Sequence, residues 1–199
     1  MLPGKTYHLF THANGSENLF LNDENYRFFL QRYRDFIDPI ADTYAYCLMS
    51  NHIHFMIHIK EYEGLLKVFE KSIPGKSIEY LISRKFASLF SSYTQSFNKV
   101  NNRMGSLFIP NFKRKEVSLE SYFTALILYI HLNPVKHGCV KKLNDWRLSS
   151  YESILRNDAS FVKSDVVLEW FGGRELFKIE HEALQKTITP RKFITFGEL

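Results

Sequence analysis

The amino-acid sequence predicts an α+β fold: a ferredoxin-like antiparallel sheet with two helices on one face, followed by a third helix and a C-terminal helical appendage. Three observations lead there. One stretch, His52 to Ile59, alternates strictly between two sets of side chains; two longer segments repeat apolar residues at helical spacing; and the elements run strand, helix, strand, strand, helix, strand.

Tyr7 to Thr11 is rich in β-favouring residues and is closed by the turn chemistry of Asn14-Gly15, which predicts a first strand. Asn22 and Asp23 can cap a helix in which Tyr26, Phe29, Leu30, Tyr33 and Ile37 form one apolar stripe, stopped by Asp38-Pro39. Thr43 to Met49 and His52 to Ile59, separated by Ser50-Asn51, read as an antiparallel hairpin. From Glu61 to Lys76, Gly64, Pro74 and Gly75 interrupt the pattern, so a surface connection with at most a helical turn is expected.

Ile78, Leu81, Ile82, Leu89, Phe90, Tyr93 and Phe97 trace one face of a long second helix. A fourth strand is expected over Ser106 to Ile109 and Phe112 to Val117, carrying the basic run Lys113-Arg114-Lys115. The third helix follows Ser118, with Leu119, Phe123, Leu126 and Ile130 directed at the core and Pro134 ending it after Asn133. Two helices on one face leave the opposite sheet face uncovered. No internal repeat interrupts this plan, which makes residues 1–151 one domain and residues 152–199 an appendage of it.

At 199 residues the chain can bury a sizeable single core, and 45% hydrophobic with 24% charged residues excludes a disordered or fibrous class. The net charge of +5 and pI near 9.1 suit a polyanionic partner without demanding one. Cys47 and Cys139, far apart and unpaired in sequence, fit a reduced cytoplasmic compartment. The apolar run around Phe123 to Leu132 is too short to span a bilayer, and Met1 to Lys5 does not read as a leader, so neither export nor a membrane partner is expected.

In the alternating strand Ile53, Phe55, Ile57 and Ile59 share the face turned to the helices, which places His52, His54, Met56 and His58 on the other. Two imidazoles two residues apart can bind one metal ion, although an isolated pair fits a solvated strand face equally well. His58 lies too far along to join them. On the third helix Tyr129 and Asn133 fall within about 40° of each other, while His131 points nearly the opposite way. A phenol needs a nearby cation or base to react near neutral pH, and by geometry alone Tyr122 is as plain a candidate as Tyr129.

The stretches Met49-Ser-Asn-His-Ile-His54 and Tyr129-Ile-His-Leu-Asn-Pro-Val-Lys-His-Gly138 together resemble the single-tyrosine HUH transposase family, and within it the REP-associated tyrosine transposase branch. Asn18-Leu-Phe-Leu21, Gly105-Ser-Leu-Phe108, and Trp146 with Ser149-Ser-Tyr151 agree in order, so the likeness spans Tyr7 to Tyr151; Trp170-Phe-Gly-Gly173 resembles a tail of some relatives. The resemblance implies that His52 and His54 hold a divalent Mg or Mn ion, that Asn133, often Gln in relatives, completes the site, and that Tyr129 rather than Tyr122 is the nucleophile. It implies nicking and strand transfer on single-stranded or hairpin DNA through a 5′-phosphotyrosine, and leaves monomer and homodimer both open. Lys113, Arg114 and Lys115 are the expected backbone-phosphate contacts. A replication-initiator type HUH nickase and a non-catalytic hairpin or single-strand binder are the rival readings; a zinc hydrolase is disfavoured for want of a third strong ligand or a carboxylate base.

Overall fold

The computed structural model describes residues 1–70, 74–158 and 161–189. Its frame is a four-stranded antiparallel sheet in the order β2-β3-β1-β4, with β1 at Thr6–His12, β2 at Ala41–Leu48, β3 at His52–Ile59 and β4 at Lys113–Glu116. With the crossing helices between β1 and β2 and between β3 and β4, this is the ferredoxin-like arrangement the sequence predicts.

Helix α1 (Asp23–Phe36) starts where the Asn22 side chain accepts the Asn25 amide at 3.0 Å, and α3 (Ile78–Val100) starts where Ser77 accepts that of Tyr80 at 3.3 Å. Their stripes close on Leu9, Ile53, Phe55, Ile57 and Ile59 to form the first core. Here Tyr33 stacks on Phe55 with ring centroids 4.3 Å apart, and its hydroxyl is satisfied by Thr43 Oγ1 at 2.8 Å. The interrupted stretch after Glu61 is more ordered than its glycines suggest: α2 (Tyr62–Phe69) makes two turns and buries Leu65 and Phe69.

The opposite face is not uncovered, and this corrects the sequence reading. Helix α4 (Phe123–Lys136), entered through a 3₁₀ turn at Glu120–Tyr122, lies across it with α5 (Tyr151–Arg156), α6 (Ser164–Trp170) and α7 (Arg174–Thr187). They make a second core on Ala45, Cys47 and Met56, side chains whose apolar character already required a cover. Within α4, Ile130 is buried as expected and Phe123 and Leu126 are half-buried against this core, but Leu119 precedes the helix and is 56% exposed.

Pro134 does not end α4. A proline removes only its own N–H, and the bond from His137 N to Asn133 O at 2.9 Å carries the helix on to Lys136. The strand expected over 106–117 is likewise shorter: Asn111 adopts a positive φ of 60° and breaks pairing, leaving Phe108 with an isolated bridge to Ala13 and only Lys113–Glu116 as β4. Among the described residues no helix is long and apolar enough to cross a membrane.

Candidate active site

Strand β3 delivers His52 and His54 to the second face, as the alternation requires, and both are buried. Helix α4 crosses directly over them and delivers Tyr129 and Asn133. The Tyr129 ring stands edge-on to His54 with centroids 5.6 Å apart, and Asn133 Oδ1 is 3.3 Å from His52 Nε2. The three stretches expected to converge are therefore brought together. Tyr122, 60% exposed at the start of α4, has no ring contact with the histidine pair, and geometry thus separates two tyrosines that the sequence alone could not. His58, on the same face but farther along the strand, is bonded to Thr6 Oγ1 at 3.0 Å.

The hydrogen bonds around His52 and Asn133 carry chemical information. Asn51 Oδ1, 2.8 Å from His52 Nδ1, accepts from that nitrogen in the tautomer that leaves Nε2 with a lone pair. Asn133 spends its amide N–H on the Tyr129 carbonyl at 3.4 Å, which turns its oxygen toward that lone pair. In that tautomer His52 Nε2 and Asn133 Oδ1, 3.3 Å apart, are both acceptors and could share a cation; in the other, Nε2–H donates to Oδ1. Two ligands at about 2.1 Å from one ion and near a right angle are about 3 Å apart, so the spacing fits a shared divalent cation. Among the described residues no three His, Cys, Asp or Glu side chains are grouped for a metal; two imidazoles and an amide oxygen are what this site could offer one.

Sequence reasoning missed His8. Its Nε2 lies 3.0 Å from His54 Nδ1, fixing that imidazole and leaving His54 Nε2 as the ring nitrogen for a ligand, and its ring meets Tyr129 edge-on at 5.9 Å. Applying to β1 the alternation that was applied to β3 would have found it, because Tyr7 and Leu9 face the first core and so direct His8 and Phe10 here. Two residues from the end of α4 also belong to the site: Lys136 Nζ sits 5.0 Å above the Tyr129 ring, and the His137 ring is 5.0 Å from that of His52. The turn closing α4 at Gly138, with φ 70°, is a helix terminator as expected.

Burial keeps these imidazoles neutral. It pushes His8 and His52 down to about 4 and His54 well below its ordinary value, with neighbouring cations and histidines adding to the effect at His8 and His54, so each offers a lone pair at neutral pH. Burial likewise raises the Tyr129 phenol above 10, with hydrogen bonding to Asn133 opposing the rise. Tyr129 thus rests as the protonated phenol.

A cleft of about 640 Å³ opens onto Tyr129 between α4 and β4, lined by His8, Phe10 and all three residues of the basic run. The run is split by the strand's own alternation. Lys113 and Lys115 pair across from Phe10 and His8 on the tyrosine side, while Arg114, opposite Leu9, takes the other.

His131, one of the histidines set aside from the sequence, is indeed remote from this chemistry. It is fully buried on the inner side of α4, with Nδ1 2.9 Å from His181 Nε2 and Nε2 2.7 Å from Ser150 Oγ. His181 Nδ1 donates to the Phe177 carbonyl at 2.7 Å, so the proton order along the chain is fixed and both rings are neutral.

The comparisons with known proteins agree with the fold and motifs. No family model matches the chain. A Haemophilus influenzae protein named "Putative REP-associated tyrosine transposase" is 26% identical over 141 residues, 70% of this chain and 71% of that one. A solved REP-associated tyrosine transposase, bound to a REP hairpin, superposes with a TM-score of 0.54 at 18% identity, over 80% of this chain and 85% of the other, and shares the fold. The α+β fold thus matches that of a tyrosine transposase. In sequence the chain is similar to the REP-associated branch, the one its motifs resemble.

Proposed function

We propose that the protein nicks and rejoins single-stranded DNA carrying hairpins, using Tyr129 as nucleophile. The observation that carries this reading is the approach of Tyr129 to within 5.6 Å of His54 while Asn133, one helical turn on, faces His52. The relative solved with a REP hairpin supports the choice of DNA. Lys113 and Lys115 would grip the backbone along the cleft and set the scissile phosphate against the tyrosine. Tyr129 Oη attacks phosphorus, its proton leaves, and the bond from phosphorus to the 3′ oxygen breaks. The products are a 5′-phosphotyrosine and a free 3′ hydroxyl, and attack by another strand's 3′ hydroxyl reverses the step without ATP or water. Lys136, above the ring, favours the phenolate over the phenol as the bond forms.

His52, His54 and Asn133 would hold the divalent ion, Mg or Mn, with His8 fixing the His54 ring. Bound there, it would supply Lewis-acid stabilisation of charge on a non-bridging phosphate oxygen.

The test is one incubation of labelled hairpin-bearing single-stranded DNA with protein, with and without Mn, resolved on a denaturing gel. A covalent band that needs metal, and that Tyr129→Phe abolishes while DNA binding persists, is the expected result. Binding without any adduct from the wild-type protein would make it a non-catalytic hairpin binder, and activity restored best by Zn would count against the metal assignment.

A further inference from the structure

A second cleft, about 560 Å³, lies on the far side of β4 from Tyr129, between α3 and the segment leading into the strand. Three features set its chemistry. On α3, Ser83, Ala87, Ser91 and Gln95 recur every fourth residue, so the helix offers a shallow wall of small and polar side chains. Beside it on the same helix is Phe90, and opposite, from the segment leading into β4, is Phe112; their rings are 5.5 Å apart, only partly buried, and present apolar surface. At its border Thr11, 1% exposed, keeps a buried hydroxyl with no hydrogen-bond partner in the protein.

Arg114 connects this cleft to the active site, because it lines both. The guanidinium thus stands at a saddle, with the Tyr129 cleft and its two lysines on one side and the aromatic, hydroxyl- and amide-lined cleft on the other. A cation between a reactive site and a groove that combines stacking surface with hydrogen-bonding groups matches the needs of a nucleotide chain: phosphate at the saddle, base in the groove. The volume is within the roughly 300–1,000 Å³ range of small-ligand clefts.

We infer that the α3 cleft binds unpaired bases of the same DNA strand whose phosphate is presented to Tyr129, and that it sets a sequence preference beside the nick. The inference rests on the strand-transfer reading, and it adds a base-reading site on the opposite face of the sheet from the nucleophile. DNA crosses the β4 edge at Arg114, stacks on Phe90 or Phe112, and meets Ser91 and Gln95 with its base edges.

The experiment is selection from a randomised pool of single-stranded DNA by the full chain and by two variants, Ser91→Trp and Ala87→Trp. Both replace exposed α3 residues and fill the groove without touching either core. Wild-type protein should enrich a base preference at a few adjacent positions. The variants should lose it, binding the selected sequence at least about tenfold more weakly while keeping the melting temperature; a tenfold loss is about 1.4 kcal/mol, the scale of one stacked base. Enrichment of the same sequence by both variants, or no preference in the wild type, overturns the inference. The two readings fail separately, because loss of the wild-type adduct concerns Tyr129 and an unchanged preference concerns the cleft.

Discussion

On the α1 and α3 side of the sheet, β3 presents Ile53, Phe55, Ile57 and Ile59 to a wholly apolar core; on the α4 side the same strand presents His52, His54 and Met56 to a layer seamed with imidazoles. Both faces are equally shut off from water. What differs is what the burial accomplishes: one side converts lost solvent contact into stability, the other into neutral, oriented imidazoles. Substitutions on one face should therefore unfold the protein, and on the other disarm it.

The largest contrast lies between Tyr129→Phe and Phe55→Ala. Tyr129→Phe should abolish the covalent DNA adduct with a stability change within about 0.5 kcal/mol, because the half-buried ring keeps its packing and loses only its hydroxyl. Phe55→Ala should cost about 3–5 kcal/mol in chemical denaturation, since it empties a fully packed site against Tyr33 and Phe29. A Tyr129→Phe protein that still formed the adduct would collapse the comparison at once.

A second, smaller effect sharpens it. His8→Ala should weaken Mn binding, measured calorimetrically without DNA, by about 10–100-fold, because His54 loses the partner that fixes its ring. His8→Asn, whose amide can restore a hydrogen bond, should recover part of the loss. Undiminished affinity in His8→Ala would reduce His8 to a packing residue.

The smallest expected effects concern the rest of the second layer. His131→Leu strands His181 Nε2 and Ser150 Oγ without their shared partner and should cost about 1–3 kcal/mol. The same layer governs acid behaviour. His8, His52 and His181 fall to about 4 in the folded protein against 6.5 unfolded, so between those values the unfolded chain holds protons that the native one refuses. Their contribution to stability is complete above about pH 6.5 and is lost as the pH falls toward 4. Melting temperature against pH should drop across that window in metal-free buffer, and His181→Gln should flatten the drop.

How much of this could be read beforehand depended on how many sides of an element are buried. Helices α1 and α3 bury one stripe each, and β3 sorts cleanly into two faces, so their patterns survive in the sequence. Helix α4 is squeezed between the sheet and α7, burying Ile127, Ile130, His131, Leu132 and Asn133 around most of its circumference. Its periodicity is blurred for that reason, and the same blurring hid the cover it forms. The motif singled out Tyr129 only through resemblance; in the structure it is Tyr129, not Tyr122, whose ring meets that of His54. His8 went unseen because the alternation was read on β3 alone; on β1, Tyr7 and Leu9 turned to the first core leave His8 on the histidine face.

The imidazole chain under α4 has one last implication, for how reach is transmitted along the polypeptide. His131 is keyed into a partner fifty positions downstream, and α4 turns about 100° per residue, so that lock sets the helix's roll about its own axis. Tyr129 and Asn133 ride on the side of the same cylinder turned to His54 and His52 and share whatever roll it has. The aim of Tyr129 is in that sense calibrated from behind, by a segment that does not line the cleft beside β4.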